Sequence, residues 1–291
     1  VTDGTLLSHD TATGNLKNQI TDGTWVAGPI AKIDTIGRKL YFYGYSREKG
    51  VDPYYYILYE AKMDQTNAIR LLTSENASHD VAVSPSHRYI VDSYSTVSQE
   101  PVNVVRNRNG KVIMTLDKPD LQPIYDLGWK APERFKVKAA DGVTDLYGVM
   151  WKPVDFDSTK VYPIISNVYP GPFFEYVPTR FTINNEYNTR LAQLGFIVIT
   201  VGHRGGTPMR GKAYHTYGYN NMRDYPLADD KYAIEQLATR YSFIDGTKVG
   251  IYGILGEDSC RLPLSALIRI SIRRLFHQQV IMITESIIKV L

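Results

Sequence analysis

Two short stretches hold residue types that can do chemistry. In "NVYPGPF", residues 167–173, Gly171 stands between two prolines and makes a stiff, tightly bent loop, and Tyr169 just before it can present a phenol. A fixed phenol donor stabilises an oxyanion. A packed aromatic whose hydroxyl is satisfied locally fits the same position. In "KVGIYGILGEDSCR", residues 248–261, the first six residues read as a short buried strand running into a glycine. That is the approach to a nucleophile elbow, where Gly-x-Ser-x-Gly and a helix are required. Instead Ile254, Leu255, Gly256, Glu257 and Asp258 follow. Leu255, Glu257 and Asp258 cannot serve where the strained turn needs glycine, and Ser259 stands too far along.

A third stretch, "VGHRGGTPMRG", places His203 and Arg204 at a strand end near a site, with Arg204 as a structural anchor of its loop the alternative. Its glycines lack both the Gly-x-Gly-x-x-Gly spacing and a Gly-Lys-Ser/Thr end, which excludes nucleotide binding. His9, His79, His87, His203, His215 and His277 form no pair at metal-ligand spacing and no carboxylate cluster accompanies them, so neither a metal nor any other cofactor is expected. The single cysteine, Cys260, has no histidine pattern around it and rules out an internal disulfide.

Elements must position these groups, and the composition supports them. The 291 residues are 43% hydrophobic, enough for one large or two ordinary domains. A net charge of +3 over 33 basic and 30 acidic side chains makes no single-sign field, so nucleic acid is not an expected partner. No apolar run is long enough to span a membrane. The chain starts at Val1 without a methionine or signal peptide, which reads as a fragment whose start lies upstream.

Up to about Ala131 the chain reads as short strands between polar turns: 25–33, 39–45, 54–62, 69–72, 89–94, 102–106 and 112–116. "IGRKLYFYGYS" and "SHRYIVDSYS" resemble each other at the spacing of four-stranded propeller blades; a sandwich has a similar strand count. After Pro132 comes a hairpin turned at Asp141-Gly142, then strands and helices alternate: strand 162–169, helix 186–194, strand 196–201, helix 223–241, strand 248–252. The second helix is expected to take Asp224 as N-cap and Pro226 in its first turn, and to bury Leu227, Ile234, Leu237, Ala238 and Tyr241. The expected fold class is therefore mixed: C-terminal blades of an all-β propeller over 1–132, then the first half of an α/β-hydrolase domain over 133–253.

In that order, "GVMWKP", "YPIISNVYPGP", "GFIVITVGHRGG", "YGYNNMRDYPLADDKYAIEQL" and "DGTKVGIYG", after a propeller-like region, resemble the prolyl oligopeptidase family of serine peptidases, especially its dipeptidyl peptidase IV branch. The resemblance covers nearly all of residues 21–253. It implies that Tyr169 is the tyrosine whose hydroxyl helps form the oxyanion hole. It also implies a peptide substrate cut two residues from its N-terminus after proline or alanine, a homodimeric intact protein, and a cell-envelope, periplasmic or secreted location. An oligopeptidase or acylaminoacyl peptidase fits the same motifs. The acidic residues with which the branch holds the substrate's amino terminus belong to earlier propeller sequence. The rival class is a propeller scaffold that binds without chemistry.

The family's nucleophile elbow is absent, and the genetic code supplies a reason. Codons built from the last base of one residue's codon and the first two of the next permit "HSGGGFMSAAALCTYPDFY" from Gly253 onward, and later "AAVSSAGNHDN". A glycine-rich elbow, an alanine-rich helix and a small-residue strand are what the fold needs next. Composition changes at the same place, since all 22 tyrosines precede Gly253. Residues 254–291 are accordingly expected to be an out-of-frame tail, with the serine, acid and histidine of a triad all absent and an unfinished sheet edge prone to aggregation. The competing expectation is a genuine amphipathic helix carrying Leu267, Ile268, Ile270, Ile272 and Leu275 among Arg269, Arg273 and Arg274.

Overall fold

A computed structural model describes residues 5–116, 118–169, 171, 174–184, 186–220, 225–253 and 280–282. The chain divides into two compact units: Val1–Asp120 with Thr179–Phe181 and Pro208–Tyr214, and Leu121–Pro178 with Thr182–Thr207 and His215–Leu291.

The first unit opens with a short antiparallel hairpin, β1 (Leu7–His9) and β2 (Leu16–Gln19). Two four-stranded antiparallel meanders follow. One runs β3 (Val26–Asp34), β4 (Lys39–Tyr45), β5 (Ile57–Lys62), β6 (Ile69–Leu71), the other β7 (Ser78–Val83), β8 (Tyr89–Ser95), β9 (Val102–Asn107), β10 (Val112–Thr115). These are blades, and the repeat seen in the sequence is their second strands, β4 and β8. Successive side chains on a strand face opposite ways. On β4, Leu40 and Phe42 enter a cluster with Trp25, Ile57 and Tyr59 inside the first blade, while Tyr41 and Tyr43 join Leu58, Leu72 and Ile90 against the second. A strand buried on both faces explains the run "LYFYGY", which shows no polar alternation.

The strand expected to begin at Tyr54 begins at Ile57, because the Asp52 carboxylate accepts the Tyr54 N–H at 3.0 Å and the Asp52 carbonyl accepts the Tyr55 N–H at 3.1 Å. That local turn competes with the ladder. Strand β7 gave no apolar signal, since its buried positions are polar. His79 and Asp92, both fully enclosed, meet at 3.0 Å, and Arg106 reaches Asp92 at 2.8 Å and Glu75 at 2.8 Å.

The second unit is built on a six-stranded sheet in the order β11-β12-β14-β13-β15-β16. A short helix α1 (Gln122–Asp126) precedes the hairpin of β11 (Glu133–Lys138) and β12 (Asp145–Trp151), turned at Asp141-Gly142 as expected. Then come β13 (Tyr162–Val168), α2 (Glu186–Gln193), β14 (Ile197–Val201), α3 (Lys212–His215), α4 (Leu227–Arg240), β15 (Ile244–Gly253) and β16 (Val280–Met282). Strand β14 pairs antiparallel with β12, and from β14 through β16 the sheet is parallel. The parallel strands are continuously apolar because both faces are covered; all five residues of β14 are buried.

Helix α4 starts at Leu227, later than expected. Pro226 occupies the N-cap position instead of the first turn, with no side-chain cap, and Asp224 lies outside the described residues. Beyond Gly253 only β16 is described, beside β15; Cys260, His277 and the amphipathic stretch 267–275 lie outside the described residues.

Candidate active site

The chain leaves β13 toward one side of the sheet, through α2 to β14, and β15 leads to the other side, toward β16. Adjacent parallel strands whose connections diverge open a crevice beyond their carboxyl ends, where open α/β sheets bind ligands. The register places Val168 at the end of β13 opposite Gly253 at the end of β15. The carboxyl ends of β13 and β15 thus lie side by side, with Tyr169 the next residue after β13. Glycine is required at 253 because a Cβ there would collide with the Val168 carbonyl oxygen.

Tyr169 is half-buried, and its ring stacks on Phe174 at 4.6 Å and packs against Tyr176 at 5.1 Å. Gly171 allows this, since a Cβ there would strike the Tyr169 ring. Phe174 and Tyr176 are 48% and 49% exposed, so the Tyr169 ring packs against two half-open aromatic faces. The Tyr169 hydroxyl has no hydrogen bond within the described residues, which leaves it able to donate to a ligand.

Arg204 is the anchor of its loop. Its guanidinium donates to both Asp229 oxygens, at 3.0 Å and 2.7 Å, and to Asp141 at 2.9 Å, and lies over the Tyr217 ring at 4.1 Å. Asp229 is fully buried and also accepts the Ala140 N–H at 2.9 Å. One ion pair therefore ties the β11–β12 hairpin, the loop after β14 and the start of α4 together. His203 lies behind the site, 2% exposed, with its Nδ1 3.6 Å from Asp230. Asp229 and Asp230 escaped the sequence reading. The signal was present: each stands four residues before a buried apolar residue, Ala233 and Ile234, on the face that packs inward. No group of three or more metal-binding side chains occurs among the described residues.

Asp141 gives a pH test. Its carboxylate accepts the Thr144 hydroxyl at 2.7 Å and the Thr144 and Val143 N–H groups at 2.9 Å each, and together with Arg204 these hold it at about 2. A carboxylate depressed in the folded state contributes its full stabilisation above the unfolded value near 3.9, and that contribution is lost as pH falls through the folded value. Asp141→Asn is expected to lower Tm by a few degrees at about pH 6, and the gap to the native chain should close as pH falls from about 4 toward 2. Thermal unfolding across that range checks it; a gap independent of pH would exclude the charged turn as the cause.

Residues 5–101 match the dipeptidyl peptidase IV (DPP IV) N-terminal region, and residues 183–254 match the prolyl oligopeptidase family. The chain belongs to the prolyl oligopeptidase family, in its dipeptidyl peptidase IV branch. Members of this family are serine peptidases. Over 254 residues this family member is 27% identical to human dipeptidyl peptidase 8, covering 80% of this chain and 27% of that protein. A Bacteroides ovatus structure described as a dipeptidyl aminopeptidase IV superposes with a TM-score of 0.68 at 25% identity, over 86% of this chain and 35% of that one. Dipeptidyl peptidase 4 of Porphyromonas gingivalis superposes with a TM-score of 0.67 at 21% identity and shares the fold. The expected fold class, propeller blades followed by the beginning of an α/β-hydrolase sheet, is the observed one. The chain spans about a quarter of the length of the human relative, 27%.

Proposed function

We propose that the intact protein is a serine exopeptidase that releases dipeptides from peptide N-termini by acyl transfer, and that the chain as written does not turn over. The observation that supports this reading is the pairing of Val168 with Gly253, the last residues of β13 and β15, since Tyr169 follows the one and the family's elbow follows the strand that matches the other. In this reading a serine after Gly253 attacks the scissile carbonyl while a histidine takes its proton. The carbonyl oxygen gains negative charge and receives hydrogen bonds from a backbone N–H and from the Tyr169 hydroxyl. Both stacked rings hold that phenol in place before charge develops, so little reorganisation is needed at the moment of reaction.

Inactivity follows from sequence: Ile254 and Leu255 stand where the family carries its nucleophile, and residues 254–291 read as one base out of frame. Purified chain incubated with a Gly-Pro chromogenic amide should release no chromophore above buffer. Release that a covalent serine reagent abolishes would overturn the inactivity. Silence together with capture of a specific protein would instead favour the scaffold reading. Sequencing the DNA across the Gly253 codon tests the slip directly, and an unbroken frame in independent reads removes it.

A further inference from the structure

The run of chain from Tyr176 to Phe181 is fastened at successive residues, and the acyl-transfer reading uses none of these fastenings. Val177 is buried. The Pro178 carbonyl accepts a hydrogen bond from the Arg134 guanidinium of β11 at 3.1 Å. Thr179–Phe181 belongs to the first unit, although the residues on either side of it belong to the second. Arg180 donates through Nη2 to the His79 carbonyl at 3.0 Å and through Nε to Ser78 Oγ at 3.4 Å. Its guanidinium also lies over the Tyr56 ring at 5.1 Å, with Nη1 3.6 Å from Asp80. The Phe181 N–H donates to Ser95 Oγ at 3.2 Å.

Ser78 and Ser95 stand opposite each other at the end of the β7–β8 ladder, 1% and 6% exposed. Buried hydroxyls need partners. Here the partners are two consecutive residues of the 179–181 segment, so the paired serines form a seat for it. The Nε and Nη2 donors share one edge of the planar guanidinium and meet Ser78 Oγ and the His79 carbonyl side by side, which fixes the plane of the group. At the other end of the run stands the ring stack: Tyr176 packs on Tyr169 at 5.1 Å and on Phe174 at 5.5 Å. The link between stack and seat is stiff, because Pro178 fixes its own φ and confines Val177 to extended conformations.

We propose that Arg180 is a positioning residue for Tyr169: seated on Ser78, the His79 carbonyl and the Tyr56 ring, it anchors the stiff run 176–180 and so holds Tyr176 against the ring that carries the phenol. This deepens the oxyanion reading of Tyr169 and rests on it. The effect of Arg180 reaches the phenol through Tyr176. With the seat empty, Tyr176 can leave the stack, and the phenol loses one of the two rings that fix its direction. A donor that must be ordered while charge develops stabilises the transition state less than one already in place.

The test is a double-substitution cycle in the intact in-frame protein, read by steady-state kinetics on an X-Pro amide. Arg180→Ala is expected to lower kcat by about 10–10²-fold with KM little changed. Arg180→Lys, which keeps the charge and one donor, should recover part of the loss, and Arg180→Ala should cost nothing further in a Tyr169→Phe background. An unchanged kcat in Arg180→Ala, or its full loss repeated in that background, overturns this proposal alone; a Tyr169→Phe without effect removes the oxyanion reading and this proposal with it. A second readout needs no turnover: with 4-fluorophenylalanine at position 174 of the chain as written, Arg180→Ala and Ser95→Ala are each expected to move the 19F resonance, and a resonance unmoved in both overturns the proposal. Should Arg180→Ala fail to fold, Arg180→Lys and Ser95→Ala decide the matter.

Discussion

Asp229→Ala is expected to destabilise the α/β unit by about 3–5 kcal/mol, the range for breaking a buried ion pair by removing one partner. Asp229 is fully enclosed and holds the Arg204 guanidinium with both oxygens, so its loss leaves the cation with Asp141 and the face of the Tyr217 ring. The Ala140 N–H loses its acceptor as well. The cost arises from the stranded charge more than from the bond, and this distinguishes the account from a general loss of packing. Adding Arg204→Met to Asp229→Leu should recover most of the stability, because a filled apolar site carries no desolvation debt. Urea unfolding of the three chains measures it. A single-variant loss below about 1 kcal/mol, or no recovery in the pair, would mean that the hairpin and α4 are held together by something else.

Tyr169→Phe, made in the intact in-frame protein, is expected to lower kcat by about 10²–10³ while KM changes little. The substitution keeps the ring that stacks on Phe174 and Tyr176 and removes only the oxygen. An interaction made only with the developing oxyanion is absent from the ground-state complex, so binding is spared and the chemical step is slowed. Steady-state kinetics on an X-Pro amide reads both constants. An unchanged kcat would make Tyr169 a packed aromatic and nothing more, the alternative its position in "NVYPGPF" leaves open.

The parts of the fold legible in sequence are those in which burial is written in apolar side chains. The Asp-Gly hairpin, the run "FIVITV" and the aromatic strand β4 announce themselves, as does the approach of β15 to a glycine. Strand β7 does not, since its interior positions are Ser78 and His79 and their burial is made tolerable by Asp92 and Arg106 on other strands. The start of α4 was misplaced because Asp224 and Pro226 read as the N-cap and first turn, whereas Pro226 is itself the N-cap; the buried Asp229 and Asp230 carry no apolar signal. His203 and Asp230 come from the loop after β14 and from α4, two segments that only the fold brings together. Tyr169 could be picked out from its stiff loop and from the order of motifs around it.

The blade interior has one more effect. Strand β4 has no solvent face, with Phe42 fully enclosed on one side and Tyr41 and Tyr43 enclosed on the other. Unfolding the second meander would bare Tyr41, Tyr43 and Leu58 of the first, each worth about 1.5–3 kcal/mol in burial. Although the two sheets share no ladder, the shared cluster makes them expected to open and close together. The segment between Leu72 and Ser78 is therefore a boundary of topology without being a boundary of stability, and a cut there is expected to weaken both halves, the first keeping only the cluster around Phe42.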